Sequence, residues 1–377
     1  MSENLESHDE LVCSECGCVL EEDQGREFDG RLLCDECYRG GTVLCDHCGN
    51  RVWREDSESD GNRVICYHCY SDYFTTCDGC GLLIPNDETY YDGDDDDRDC
   101  RECFYKRRSI PIKPYNYKPE PTFFGTDSSL FLGVELEIDG GGEYNDNAEQ
   151  ILSVANSTEE RLYCKHDGSL CDGFEMVSHP MTLEYHRDKM NWKSVFDEAI
   201  SLDYLSHCTD TCGLHVHVNR EYFGELPSEQ EACVGRIVFF VEKHWDDLVR
   251  FSRRKSANLN RWAARYSTIS PTAKETYKKA KDSRAGRYVA VNLTNYETVE
   301  FRFFRGTLRY ETFIASLQLV ALICELARSC TDRDFEEMSW RDFVLKVDRE
   351  HMPELIAYLK IRQLYVNELS DAVEQEV

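Results

Sequence analysis

Along residues 129–139, SLFLGVELEID, apolar and polar positions alternate with period two. Val134, Leu136 and Ile138 take one face of a predicted strand, and Glu135 and Glu137 take the other. Residues 212–219, CGLHVHVN, alternate in the same way, with His215 and His217 opposite Leu214, Val216 and Val218. Residues 161–180 hold an Asp167-Gly168 turn signal between two short strands, and Glu175 stands inside the apolar run Phe174, Met176, Val177. Residues 288–304 read as two strands with a turn near Asn295; Glu300 and Arg302 share one face, and Val299, Phe301 and Phe303 the other. Helical periodicity appears between and after these strands. Pro227-Ser228, with Glu231 three residues after the serine, opens a helix predicted over residues 228–251. Residues 311–330 carry an apolar stripe of Ile314, Leu317, Val320, Ala321, Cys324 and Leu326. The tail, 336–377, reads as helix packed on the outside. No run of about 18 apolar residues occurs, so no membrane-spanning helix is expected.

The first hundred residues follow a different rule. Twelve cysteines form six CxxC pairs: Cys13/Cys16, Cys34/Cys37, Cys45/Cys48, Cys66/Cys69, Cys77/Cys80 and Cys100/Cys103. Cys13, Cys45 and Cys77 recur at a fixed interval, so this is an internal repeat of three units. Two CxxC turns at this separation make a tetrahedral four-thiolate zinc site. The competing readings are disulfides or redox CxxC motifs, and six regular pairs argue against both. Cys18 falls outside the pattern and reads as a spare thiol. With four protein thiolates per site no position is open for catalysis, so the zinc is structural. At this level the units resemble zinc ribbons and half-LIM modules, although the spacers between units are longer than the two-residue link of a LIM domain.

Composition adds charge and domain organisation. The chain has 377 residues, enough for two or three domains, and a formal net charge of −29. Residues 1–105 hold 28 acids against 8 arginines and no lysine. Such a surface repels nucleic-acid phosphate, so the zinc region is expected either to meet a basic protein partner or only to aid solubility. Residues 106–122 are proline-rich and read as an extended linker whose cations Lys106, Arg107 and Arg108 are solvated. The expected organisation is therefore zinc repeats over 1–105, a linker over 106–122 and a larger domain over 123–377. The N-terminus, MSENLESHDE, lacks the basic and apolar regions of a secretory signal, and a cytoplasmic protein is expected.

The larger domain collects polar groups where strands predict burial. Glu135 and Glu137 fit a solvated edge strand or a site for a hard cation. A lone histidine is usually structural, but the pair His215 and His217 on one strand face is a better ligand candidate. Glu300 and Arg302 make either a plain ion pair or a metal ligand beside a phosphate clamp. Asp167 reads as a turn former. Residues 250–287 hold twelve cations and two acids, which suits an exposed basic helix or an anion site equally.

Taken in order, GVELE, DGSL, FEMVSHP, CGLHVHV and VEFRFFRGTL resemble the amidoligase family, phage and bacterial carboxylate–amine ligases of the glutamine synthetase and gamma-glutamylcysteine ligase superfamily. The resemblance covers roughly residues 125–330 and leaves out the zinc repeats. It implies an α+β fold with a glutamine-synthetase-like, curved, largely antiparallel sheet whose concave face binds ATP and Mg²⁺. It makes Glu135, Glu137, Glu175, His215 and Glu300 the Mg²⁺ ligands, turns His217 toward the nucleotide, and sets Arg302 on the transferred phosphate. Arg305 falls in the RGT segment, where strict alternation turns it away from Arg302 unless a bulge intervenes. The implied chemistry is ATP-dependent activation of a carboxylate as an acyl phosphate, which an amine then attacks. The carboxylate and amine come from amino acids, peptides or proteins. Two other classes fit the same residues. A metal-dependent hydrolase or nuclease would use the acids and histidines without ATP. A non-enzymatic zinc scaffold would bind no divalent ion beyond zinc.

Overall fold

The computed structural model describes residues 11–21, 24–91, 98–125, 130–207, 209–267, 269–283 and 285–366, without the side chains of 107–109. The chain divides into two compact units, Met1–Ser109 and Ile110–Val377.

In the smaller unit the three cysteine repeats take one local pattern. The first CxxC of each lies in a knuckle closed by a glycine at positive φ, Gly17, Gly49 or Gly81. The knuckle backbone then pairs with the strand before the second CxxC, where Ser14, Asp46 and Asp78 each donate an N–H to the carbonyl of Leu32, Val64 or Arg98 at 2.8 Å. A helix starts at the second CxxC in each unit: Asp35–Gly41, Tyr67–Tyr73 and Arg101–Ser109. Successive repeats are joined by side chains. Trp53 Nε1 donates to Asp29 at 3.0 Å, and Leu83 N donates to Asp60 at 2.9 Å. Among the described residues, buried apolar groups other than cysteine are few: Leu20 and Leu33 in the first repeat and Ile65, Leu83, Ile84 and Phe104 further on. So small a core does not offset the entropy of ordering about a hundred residues, which is the physical case for metal as part of the fold.

The larger unit is built on one seven-stranded sheet, numbered here within this unit: β1 (Ile112–Lys113), β2 (Leu132–Asp139), β3 (Leu162–Lys165), β4 (Gly173–Ser178), β5 (Gly213–Asn219), β6 (Val291–Asn292) and β7 (Thr298–Arg305). Its order is β6-β7-β5-β2-β4-β3-β1. Every pairing is antiparallel except the edge pair β1–β3, so the sheet is mixed. One face carries Val134, Leu136, Ile138, Leu214, Val216, Val218 and Phe301, all fully buried. This face shares one core with the helices, and Tyr310–Ser329 and Pro227–Lys243 bury many of their side chains in it. Tyr310–Ser329 is long and apolar enough to cross a membrane, contrary to the expectation that no segment would be, but most of it is buried in this core.

The other face is concave. Laid flat, seven strands span about 29 Å. Yet Arg287, just before edge strand β6, donates through Nη1 to the Tyr115 hydroxyl, just after edge strand β1, at 2.5 Å. The segments flanking the two edges therefore meet over this face.

Several boundaries differ from the sequence reading. Residues 112–113 of the expected linker pair with β3, because the backbone groups of β3 need partners on that side. Arg107 and Arg108 of the linker's basic cluster lie outside the described side chains. The helix predicted over 228–251 is two helices, Pro227–Lys243 and Trp245–Ser252, parted at His244, whose buried ring bonds the Met338 carbonyl. The tail does not simply lie outside: Leu355 and Leu359 of the helix Pro353–Ile361 are fully buried. Residues 367–377 fall outside the described part.

Strand β7 is not regular. Leu214 pairs with Phe304 and Val216 with Phe301, so Arg302 and Phe303 together oppose His215. This is a β-bulge, and it turns Arg305 back to the face that carries Arg302.

Candidate active site

The cysteines meet as the spacing predicts. Three groups gather: Cys13, Cys16, Cys34 and Cys37; Cys45, Cys48, Cys66 and Cys69; and Cys77, Cys80, Cys100 and Cys103. Tetrahedral zinc with bonds of about 2.3 Å places its sulfurs about 3.8 Å apart. Cys16 and Cys34 are 3.9 Å apart at Sγ, Cys48 and Cys66 3.9 Å, and Cys80 and Cys100 3.8 Å. Backbone N–H groups of Cys34, Cys66 and Cys100 point at the sulfurs of Cys13, Cys45 and Cys77 at 3.2–3.3 Å, the support a thiolate needs. These groups fit zinc. Cys18 is exposed and belongs to none of them.

The concave face of the larger unit holds the other cluster, because the polar positions of four strands fall in register. Glu135 on β2 pairs across to His215 on β5, Glu137 pairs across to Glu175 on β4, and His217 pairs across to Glu300 on β7. His215 Nδ1 lies 3.2 Å from Glu135 Oε2 and 3.6 Å from Glu300 Oε1. His217 Nε2 lies 3.2 Å from Glu135 Oε1 and 3.8 Å from Glu300 Oε1. Glu135, His217 and Glu300 can share one cation, and so can Glu135, Glu175 and His215. Both histidines keep a buried Nε2 without a hydrogen bond. Four carboxylates and two imidazoles around a common space offer mixed oxygen and nitrogen donors to a divalent cation.

The electrostatics divide the acids into two pairs. Burial works to raise Glu135, but the charge of His217 and the hydrogen bond from His215 hold it well below the usual carboxylate range. Glu300 is lowered on the same balance of burial against His217. Burial pushes Glu137 up, and burial together with the nearby charge of Glu135 pushes Glu175 well above the usual range. Burial lowers His217, yet Glu135 and Glu300 carry it up to about 9. Without a cation the site thus holds more carboxylate than its histidines can balance.

A cavity of about 720 Å³ opens over these groups. Its cations come from both ends of the sheet. Arg302 pairs with Glu300 through Nη1 and donates from Nε to the Trp262 carbonyl at 3.4 Å. Glu300 Oε2 also accepts from Asn292 at 2.7 Å. Lys165 on β3 lies 3.8 Å from Glu175. Asp167 lines the cavity, and its carboxylate accepts the Ser169 N–H at 2.7 Å, as a turn former should. Arg305, although turned to this face by the bulge, is not among the residues that line the cavity; its charge bears on Asp210 instead.

The basic segment 250–287 resolves into two kinds of residue. Lys274, Lys278 and Lys279 are exposed on the helix Ala273–Asp282. Arg254 and Arg287 line the cavity. Arg254 is 5% exposed, donates from Nη1 to the Arg302 carbonyl at 2.6 Å, and leaves its buried Nε without a partner. Tyr115 and Lys165 likewise line the cavity and were not singled out by sequence. Arg254 had a signal, a cation in a segment of excess charge. Tyr115 had none, since it stands in what read as linker.

No curated protein matches the chain. A family model described as "Putative amidoligase enzyme" matches residues 152–324, a stretch that takes in Glu175, His215, His217, Glu300 and Arg302 and leaves Glu135 and Glu137 outside it. The match points to a ligase and falls within the larger unit.

Proposed function

We propose that the larger unit is an ATP- and Mg²⁺-dependent carboxylate–amine ligase acting through an acyl phosphate. The observation that carries this reading is the gathering of Glu135, Glu137, Glu175, Glu300, His215 and His217 on one concave face, with Arg302 beside them. The carboxylates and His215 Nδ1 are the residues that would hold Mg²⁺. Bound Mg²⁺ and ATP would supply charge neutralisation and the phosphoryl group. Arg302, held by Glu300 and the Trp262 carbonyl, is oriented to receive negative charge that develops on a transferred phosphate. Arg287, bonded to the Tyr115 hydroxyl, adds a further cation to the cavity lining for an anionic substrate. No Ser-His-Asp arrangement is found among the cavity-lining residues, so activation by phosphate suits the site better than an acyl-enzyme.

In this reading the zinc repeats are structural. Their acidic surface is proposed to recruit a basic protein partner or the substrate itself, in the reducing cytoplasm that free four-thiolate sites require. The test is incubation with Mg²⁺-ATP and a panel of amino acids and peptides, reading ADP and a mass gain equal to condensation. ADP formation that depends on both a carboxylate and an amine supports a ligase. Cleavage of a substrate with Mg²⁺ alone, and no ADP, would make the site a metal-dependent hydrolase.

A further inference from the structure

Two acids of the cluster have one oxygen engaged by an amide of the protein. Glu137 Oε2 accepts the backbone N–H of Gly213. Glu300 Oε2 accepts from the side-chain amide of Asn292 at 2.7 Å and from that of Asn295 at 3.4 Å. Strand pairing fixes a backbone amide, whereas a side-chain amide has to be fixed by its neighbours. Asn292 stands on β6 directly across from Glu300 on β7, lines the cavity and is 2% exposed. Its own Oδ1 accepts the Thr294 N–H at 2.9 Å and the Thr294 hydroxyl at 2.8 Å. A backbone N–H can only donate, so the oxygen of the amide faces Thr294 and the NH₂ faces Glu300. Residues 292–294 thus aim a donor of fixed orientation at one oxygen of one acid.

The other oxygen, Oε1, lies 3.6 Å from His215 Nδ1 and 3.8 Å from His217 Nε2, among the groups that can share a cation. Arg302, two residues along β7, also bonds Oε1 through Nη1. A guanidinium beside a carboxylate favours the two-bond fork, in which both oxygens turn to the arginine. Such a fork would take Glu300 out of the cluster. The Asn292 bond works against it. With Oε2 held toward β6, Glu300 meets Arg302 through Oε1, and a second lone pair of Oε1 stays open to a cation.

We propose that Asn292 is a positioning residue of the site: by occupying Oε2 it keeps Glu300 from forking onto Arg302, so that Oε1 serves a divalent cation and Arg302 together. Thr294 acts one step further back, by setting which end of the Asn292 amide faces the acid. The inference rests on the cation reading of the cluster and not on the ligase chemistry.

The test is calorimetric titration of the zinc-replete, full-length protein with Mn²⁺, with thermal unfolding of the same samples. Asn292→Leu keeps the volume and removes the donor; it should weaken Mn²⁺ binding about 10- to 100-fold. In an Arg302→Lys background, where no fork can form, the same change should cost less than about threefold relative to Arg302→Lys alone. Thr294→Val alters a more exposed position and leaves Asn292 in place; it should weaken Mn²⁺ about threefold. It carries the test if Asn292→Leu does not fold, and unchanged affinity there then overturns the assignment. A folded Asn292→Leu with a lower melting temperature and unchanged Mn²⁺ affinity gives Asn292 to the β6–β7 pairing alone and overturns it. Equal losses in the two backgrounds overturn it as well, since the fork would then play no part. Wild type that binds no Mn²⁺ removes the cation reading and this inference with it. If the variants lose Mn²⁺ as expected but no substrate panel yields ADP, the role of Asn292 stands and the ligase reading fails.

Discussion

Glu135 and Glu175 differ by one strand and have opposite fates. Glu135 is shared by two histidines, and His217 carries positive charge up to about pH 9 because of it. Replacing it with glutamine strands that charge. Removing an acid from a crowded metal site has a second, opposite effect, since it relieves like-charge repulsion. The structure moves that effect to Glu175, which faces burial and the charge of Glu135 with only Lys165, 3.8 Å away, to offset them. Its raised pKa means that ionisation at neutral pH costs folding free energy, and Glu175→Gln removes that cost. Metal-free Glu135→Gln is expected to lose about 2 kcal/mol, ~4–8 °C in melting temperature, discounted because the side chain is partly open to solvent. Metal-free Glu175→Gln should gain a few degrees. Both should lose stabilisation by Mg²⁺. Thermal unfolding with and without Mg²⁺ reads all four values, and shifts of the same sign in the two metal-free variants would contradict this division of the acids.

At the scale of elements, the short helix Leu183–Asp188 shows how the sheet is held from behind. Thr182 caps it by accepting the Tyr185 N–H at 3.2 Å. His186 then donates from Nε2 to the Leu132 carbonyl at 2.9 Å and accepts from Trp192 Nε1 at 3.1 Å. One tautomer satisfies both bonds, and a proton on Nδ1 would break the second. Burial accordingly lowers the His186 pKa to about 4. The unfolded chain, with a histidine pKa near 6.5, takes up that proton first. Stability from this contact is therefore full above about pH 6.5 and falls as the pH drops toward 4, by up to ~3 kcal/mol. Following the His186 ring resonances from pH 7.5 to 5 by NMR should show no titration. A midpoint near 6.5 would mean that the helix does not clamp β2 as described.

The repeats make a second prediction at this scale. Each brings its own four thiolates together, so the freshly reduced protein should carry close to three zinc ions. Cys48→Ser should reduce the content to about two by elemental analysis. It should also expose the second repeat and its contact with the third, formed by Asp60 and Leu83, to proteolysis. Unchanged zinc content in the variant would assign the metal elsewhere.

For the whole molecule, the boundary that matters is Ser109/Ile110. Composition placed the start of the larger domain at residue 123, after a linker over 106–122. A chain beginning there lacks β1 and Tyr115, hence one edge of the sheet and part of the cavity wall. A chain beginning at Ile110 keeps both. The longer form is expected to unfold cooperatively and to bind Mg²⁺ as the full-length protein does; the shorter form should melt several degrees lower and bind ligands more weakly. Calorimetry on the two forms decides the point, and equal behaviour would return residues 110–120 to the status of a linker.

The sequence by itself determined what depends on local spacing. Six CxxC pairs at fixed intervals brought twelve sulfurs into three groups, since a CxxC turn presents both sulfurs to one point whatever surrounds it. Period-two alternation put Glu135 and Glu137, His215 and His217, and Glu300 and Arg302 on the polar faces of their strands, because the pleat leaves a side chain no other choice. Tertiary structure decided which strands stand side by side, and so which of these groups meet. Only the order β7-β5-β2-β4 places Glu300, His217, Glu135 and Glu175 over a common space. It also decided what alternation cannot encode: the bulge opposite His215, which needs two strands to exist, the burial of Arg254 within a basic segment that suited an exposed helix and an anion site equally, and the capture of Ile112–Lys113 by an edge whose unpaired backbone groups required a partner. Each depends on hydrogen bonds between residues dozens of positions apart, and the pattern of neighbours along the chain carries no record of them.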